Sequence, residues 1–186
     1  MARALIFLAD GHEEVEMLTE VDMLRRVNIS IDMISITGDL CVTGSHGIKI
    51  MADKLISDLS DEDYDEAEML ILPGGMPGTL NLRDCEELSK RIMEFNEKGK
   101  YLAAVCAAPT VFGGLGLLQG KNATCFPGME DGLTGANKLT DKVVTDGNII
   151  TSRGMGTCIE FAGEIIANLA DRKTSDEIKK KIVYNI

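Results

Sequence analysis

Short apolar runs alternate along this chain with stretches whose apolar residues repeat at helical spacing. Residues 4–9, 69–72 and 102–105 are continuously apolar, and 31–36 carry four apolar residues in six. A continuous run leaves no polar face for water, so such strands must be covered on both sides. Between them, Met17, Val21 and Leu24 fall at i, i+4 and i+7, and Leu88, Ile92 and Phe95 share one face of a second helix. This rhythm predicts βαβ units around a mostly parallel sheet. A weaker strand is expected over residues 47–51, and Asp146-Gly147 marks a hairpin between 143–145 and 148–151. Asp84 with Glu87 reads as one helix start. Thr157 with Glu160 reads as the capping box of another, carrying Ile159, Ile166 and Leu169, and a last helix is expected from about Thr174, with Glu177 three residues on. No internal repeat, low-complexity tract or linker divides the sequence, so residues 1–186 read as a single domain.

Charge and composition exclude several functions. Thirty acidic against nineteen basic residues give a formal charge of -11. Such a surface repels phosphate backbones, so nucleic acid is not an expected partner. No apolar stretch approaches the ~18 residues of a membrane helix, and the first apolar run lacks the length and cleavage site of a secretory signal. The five cysteines (41, 85, 106, 125 and 158) form no C-x-x-C pair, and His12 and His46 are the only histidines. Neither a disulfide scaffold nor a metal site is therefore predicted. The expectation is a thiol-containing cytoplasmic protein. Seven acids crowd residues 58–68 without EF-hand spacing, which reads as a solvated surface segment.

In an open α/β sheet, ligands bind beyond the carboxyl ends of the strands. Three loops should meet there: residues 10–16, 73–78 and 106–109. Cys106 follows a buried strand directly and precedes Pro109, which suits the first turn of a helix. That is the setting of a nucleophile elbow with Cys in place of Ser, and a helix N-terminus favours thiolate over thiol. The bland reading is one more small buried cysteine. In the other four cysteines nothing marks reactivity. The Pro73-Gly74-Gly75-Met76-Pro77-Gly78 loop lacks the features of a P-loop or dinucleotide fingerprint. It serves either as a plain turn or as a source of N–H groups for an oxyanion at Cys106. Of Glu13, Glu14, Glu16 and Glu20, most should be solvated helix charges, with one facing the crevice beside the sulfur.

Four segments then carry a resemblance in register. They are Asp10-Gly11-His12-Glu13-Glu14-Val15-Glu16, Leu72-Pro73-Gly74-Gly75-Met76-Pro77-Gly78, Ala104-Val105-Cys106-Ala107-Ala108-Pro109-Thr110 and Thr151-Ser152-Arg153-Gly154-Met155-Gly156-Thr157. Together they resemble the ThiJ/PfpI superfamily, in the branch of the parkinsonism-associated protein deglycase (glyoxalase III-like). The resemblance covers essentially the whole chain. It implies a flavodoxin-like three-layer α/β/α sandwich, a homodimer and no cofactor. It also implies Cys106 as nucleophile, Glu16 as its protonated partner carboxyl, and backbone amides of Gly75 and Ala107 as the oxyanion pocket. The implied activities are glyoxalase (methylglyoxal to lactate) and deglycase, with redox sensing through Cys106 as the alternative and amidase or peptidase chemistry ranked last.

Two departures from the family pattern bear on the pocket. Phe126 stands where many members carry a histidine, and Met155 replaces a proline. Beside Gly74, both residues are expected to line the pocket and to narrow it against bulky substrates. Loss of the histidine removes a proton shuttle. His46 matches a basic position near the family's dimer interface, reaching a partner's pocket or simply lying on a surface loop.

Overall fold

A computed structural model describes residues 2–184. In chain order the strands are β1 (Arg3–Leu8), β2 (Ser30–Ser35), β3 (Cys41–Thr43), β4 (Lys49–Met51), β5 (Lys54–Leu55), β6 (Met69–Leu72), β7 (Tyr101–Val105), β8 (Asn122–Ala123), β9 (Asn137–Lys138), β10 (Val143–Asp146) and β11 (Ile149–Ser152). The helices are α1 (Glu14–Arg26), α2 (Asp61–Glu66), α3 (Gly78–Arg83), α4 (Glu86–Glu97), α5 (Pro109–Gly114), α6 (Cys158–Leu169) and α7 (Arg172–Lys181).

Seven strands form one sheet in the order β10-β11-β7-β6-β1-β2-β5. Every neighbouring pair is parallel except the β10–β11 hairpin. Side chains of β1 alternate between the two faces, as a strand's period of two requires. Ala4, Ile6 and Leu8 join a core with Met17, Val21 and Leu24 of α1, Phe161 and Ile165 of α6 and Ile178 of α7. Leu5 and Phe7 face Tyr64 of α2, Leu82 of α3, Leu88, Ile92 and Phe95 of α4, and Phe112 of α5. Two helical layers thus cover one sheet, giving the expected α/β/α sandwich. Each fully buried Leu, Ile or Phe contributes roughly 1.5–3 kcal/mol to it.

From β1 the chain builds outward through β2 to β5, then returns to place β6 on the other side of β1. That reversal leaves a crevice at the carboxyl ends of β1 and β6, where no crossover covers it. The loops after β1, β6 and β7 all open into it.

Several local expectations are corrected. Residues 58–68 are more than solvated surface: α2 forms there on its Ser60 cap, buries Tyr64 and places Asp63 against Arg3 at 2.9 Å. The weak strand is β4, and it pairs with an unforeseen β3. The unforeseen α3 ends on Asp84, so α4 begins at Glu86 behind Cys85. Thr157 caps no helix through its side chain, because its Oγ1 is engaged with Ser152 at 2.7 Å and with the Gly154 backbone. Glu160 pairs with Lys142 instead of closing a box. The last helix starts two residues earlier than expected, on Asp171, whose carboxylate accepts from the Thr174 N–H at 2.7 Å.

Candidate functional site

Cys106 follows β7 with φ +63°, in the left-handed region that a side chain with a Cβ rarely adopts. Such a conformation costs roughly 1–3 kcal/mol and persists only where neighbours hold it. Here the Cys106 N–H donates to Ser152 O at 3.0 Å, its own carbonyl accepts from the Phe126 N–H at 2.8 Å, and Ala108 N–H bonds back to Val105 O at 3.0 Å. The sequence places a cysteine after a strand; the fold turns it sharply into the crevice.

Glu16 is the acid that faces this sulfur. Glu13 caps α1 by accepting the Glu16 N–H at 2.6 Å, which sets the first turn so that the Glu16 side chain runs inward. Its Oε2 accepts from the Gly74 N–H at 2.8 Å. A Cβ on Gly74 would lie 2.5 Å from the Cys106 Cβ and 2.7 Å from that Oε2, so only glycine admits both residues. Gly75, at φ +91°, presses against the loop at Gly11 and Glu13 and likewise has no room for a side chain.

The expectation that most of the four acids are solvated is wrong. Glu14, Glu16 and Glu20 are buried, and Glu13 is half-buried. Burial lifts Glu16 to about 7 against the opposing pull of the Gly74 N–H and, more weakly, the Met155 N–H. Burial and the neighbouring Glu16 also push the Cys106 thiol up to about 12, while backbone N–H groups of Ala107 and Gly75 pull it back. The helix N-terminus therefore does not by itself favour the thiolate. Helix α5 starts three residues beyond the sulfur, and two acidic groups in contact compete for one negative charge. Glu20 is fully enclosed with neither oxygen partnered, and burial raises it well above the carboxylate range.

Beyond the sulfur lies an open cavity of about 430 Å³, lined by Glu13, Ser45, His46, Gly75, Met76, Cys106, Ala107, Phe126 and Met129. Five expected residues, Gly75, His46, Cys106, Ala107 and Phe126, line it together. Gly74 and Met155 do not: Gly74 meets the site through its N–H on Glu16, and the Met155 side chain is exposed, with only its backbone N–H acting on Glu16. The narrowing expected from Met155 is absent. His46 reaches the cavity of its own chain from the β3–β4 turn, where its Nδ1 lies 2.9 Å from Glu14 Oε2 and its N–H donates to Glu14 Oε1 at 2.7 Å. These bonds hold Glu14 down to about 2 despite burial. Although ligand atoms of Glu13, Glu14 and His46 come within 4.8 Å of one another, Glu14 is engaged by the turn itself. The cluster is built as a clasp. Met76 and Met129 were not singled out from sequence; both lie in loops, where no periodicity points them anywhere. His12 is buried with Nδ1 3.0 Å from Ala9 O and does not line the cavity. Among the described residues no helix is long and apolar enough to cross a membrane.

A cysteine on a strained elbow, a carboxyl bonded to a Gly-Gly loop and a flavodoxin-like strand order invite comparison with known proteins. Residues 2–168 match the DJ-1/PfpI family. The chain belongs to that family. It is 37% identical to protein DJ-1 homolog B of Arabidopsis thaliana over 97% of its own length and 41% of that protein's. The chain thus spans about two fifths of that relative. It is 29% identical to the glutathione-independent glyoxalase DJR-1.2 of Caenorhabditis elegans, over 96% of this chain and 95% of that one. Among solved structures, oxidized Toxoplasma gondii DJ-1 superposes with a TM-score of 0.93 at 31% identity, covering all of both chains.

Proposed function

We propose that this DJ-1/PfpI protein is a cofactor-independent glyoxalase acting on small 2-oxoaldehydes, with Cys106 as nucleophile. The observation that carries the reading is the packing of Cys106 and Glu16 together against Gly74, with the Gly75 and Ala107 N–H groups lowering the thiol against burial. A carboxyl poised near 7 exchanges a proton readily at neutral pH, which is what an isomerisation between two carbons needs.

The Cys106 thiolate adds to the aldehyde carbon, and the Gly75 and Ala107 amides receive the developing alkoxide, which is protonated to a hemithioacetal. The Glu16 carboxylate removes the hydrogen on that carbon as a proton, and the electron pair passes to the adjacent carbonyl to give an enediol. Returning the proton to the second carbon leaves a thioester bearing a 2-hydroxyl. Water attacks the thioester, the C–S bond breaks, and the hydroxy acid leaves while sulfur regains its starting state. The sum is oxoaldehyde plus water to hydroxy acid, with no electrons from outside. The glyoxalase name of the Caenorhabditis relative supports this direction. Deglycase action on aldehyde adducts would use the same nucleophile, and a cytoplasmic homodimer with 1–186 acting as one unit completes the proposal.

The rival reading is a redox-responsive protein in which peroxide oxidises Cys106. An amidase is disfavoured because the charged side chain acting on the sulfur is a carboxyl. Chiral lactate formed from methylglyoxal by wild type, Cys106→Ser and Glu16→Gln tests the choice. Both substitutions are expected to lower the rate by at least ~10²-fold. Equal rates across the three would end the glyoxalase reading, and gain of two oxygens on Cys106 after mild peroxide, without turnover, would favour the sensor.

A further inference from the structure

The cavity at Cys106 has two unlike walls. One is apolar and adaptable: Met76, Phe126 and Met129, of which Met76 and Phe126 are about half exposed. The Phe126 ring shares the cavity with the nucleophile, near Gly154. Its Cδ2 lies 3.4 Å from the position a Cβ on Gly154 would take, and the Cys106 sulfur lies 3.9 Å from that same point. The Phe126 backbone N–H donates to the Cys106 carbonyl at 2.8 Å, which ties the two backbones together. The other wall is polar: Glu13, Ser45 and His46, with the buried Glu14 carboxylate behind His46.

A space of about 430 Å³ lies within the range of sites that enclose a small organic ligand, far more than the methyl group of methylglyoxal fills. Large apolar side chains left half exposed beside a nucleophile are covered when an apolar substituent enters. Glu13 on the polar wall disfavours a carboxylate, while the Glu14 charge is engaged by His46.

Building on the proposed aldehyde chemistry, we infer that the preferred substrates are neutral 2-oxoaldehydes bearing a bulky apolar substituent, aryl or branched alkyl, seated against Phe126, Met129 and Met76. The specificity of the site then comes from this wall, and the reaction itself from Cys106 and Glu16.

The test compares kcat/KM for phenylglyoxal, its para-carboxylate derivative and methylglyoxal. Wild type is expected to favour phenylglyoxal over methylglyoxal by about 10-fold or more, and over the carboxylate by a similar factor. Phe126→Ala and Met129→Ala should each shrink the phenylglyoxal-to-methylglyoxal ratio by about 5-fold or more, with unfolding midpoints confirming that both variants fold. A wild-type preference for methylglyoxal, or a ratio unmoved by both variants, overturns the inference while leaving the chemistry intact. If neither aldehyde is turned over, the chemistry fails separately. Protection of Cys106 from iodoacetamide, read by intact mass, then decides the wall: protection at lower phenylglyoxal than methylglyoxal sustains it, and equal protection overturns it.

Discussion

Glu16 and Cys106 meet in the crevice as two acids sharing one charge: burial lifts the carboxyl to about 7 and, with that carboxyl beside it, the thiol to about 12. The pair behaves as a unit, since ionising either partner makes ionising the other harder. The Gly74 N–H, at 2.8 Å from Oε2, fixes the carboxyl's position.

Removing the charge should separate reactivity from turnover. In Glu16→Gln the repulsion that raises the thiol is gone, so iodoacetamide should alkylate Cys106 several-fold faster at pH 7.5. Lactate formation should fall by ~10²–10⁴-fold, because an amide cannot carry the proton. Slower alkylation would show that the carboxyl supports the thiolate instead of opposing it.

Stability should decline as the solution is made less acidic. Glu16 is raised from 4.5 to about 7, so the folded protein holds a proton there that the unfolded chain has released. Stability from this group is full below pH 4.5 and is lost as pH rises toward 7, by up to about 3 kcal/mol. Glu20 acts in the same sense, and so does His46 above its ordinary 6.5. Glu14, lowered to about 2, acts oppositely, but its contribution is lost only as pH falls from 4.5 through 2. Urea midpoints between pH 5 and 7.5 should drop for wild type and drop less steeply in Glu16→Gln, where Glu20 and His46 still titrate; a rising wild-type profile would contradict the assignment.

Glu20 is a cost to the fold. Neither of its oxygens has a partner, and it is fully enclosed on α1. Glu20→Leu restores apolar packing at similar volume and should stabilise the protein by about 1–3 kcal/mol at pH 7.5. An unchanged or lower denaturation midpoint would mean that the carboxyl is satisfied in solution.

Gly74→Ala probes the tightest packing in the site. The added methyl would strike the Cys106 Cβ and Glu16 Oε2, so one of them must move. Overpacking of this kind costs about 1–3 kcal/mol. Lactate formation should be lost even where thermal unfolding shows a folded variant; full activity would show that the loop yields without disturbing the pair.

The layered fold was readable because its signal is local. Residues 4–9 have no polar face, Met17, Val21 and Leu24 share a helical stripe, and Asp146-Gly147 marks its own turn. Cys106 stood out for a similar reason, lying between a buried strand and a proline. Helix starts were less legible, since Thr157 and Asp171 are both cap-type residues, and only the surroundings decide that Asp171 accepts a helix N–H while Thr157 is drawn to Ser152.

By itself, then, the order of residues determined the central strands β1, β2, β6 and β7 with the β10–β11 hairpin, the main helices and which cysteine would stand at the mouth of the sheet. Tertiary structure decided the protonation of that cysteine, the burial of Glu14 and Glu20, the entry of His46 from the β3–β4 turn and the Met76–Phe126–Met129 wall. Periodicity reports which face of an element meets the core. Desolvation, and the approach of a carboxyl from α1 to a sulfur after β7 across 90 positions of chain, arise only when distant segments are brought together.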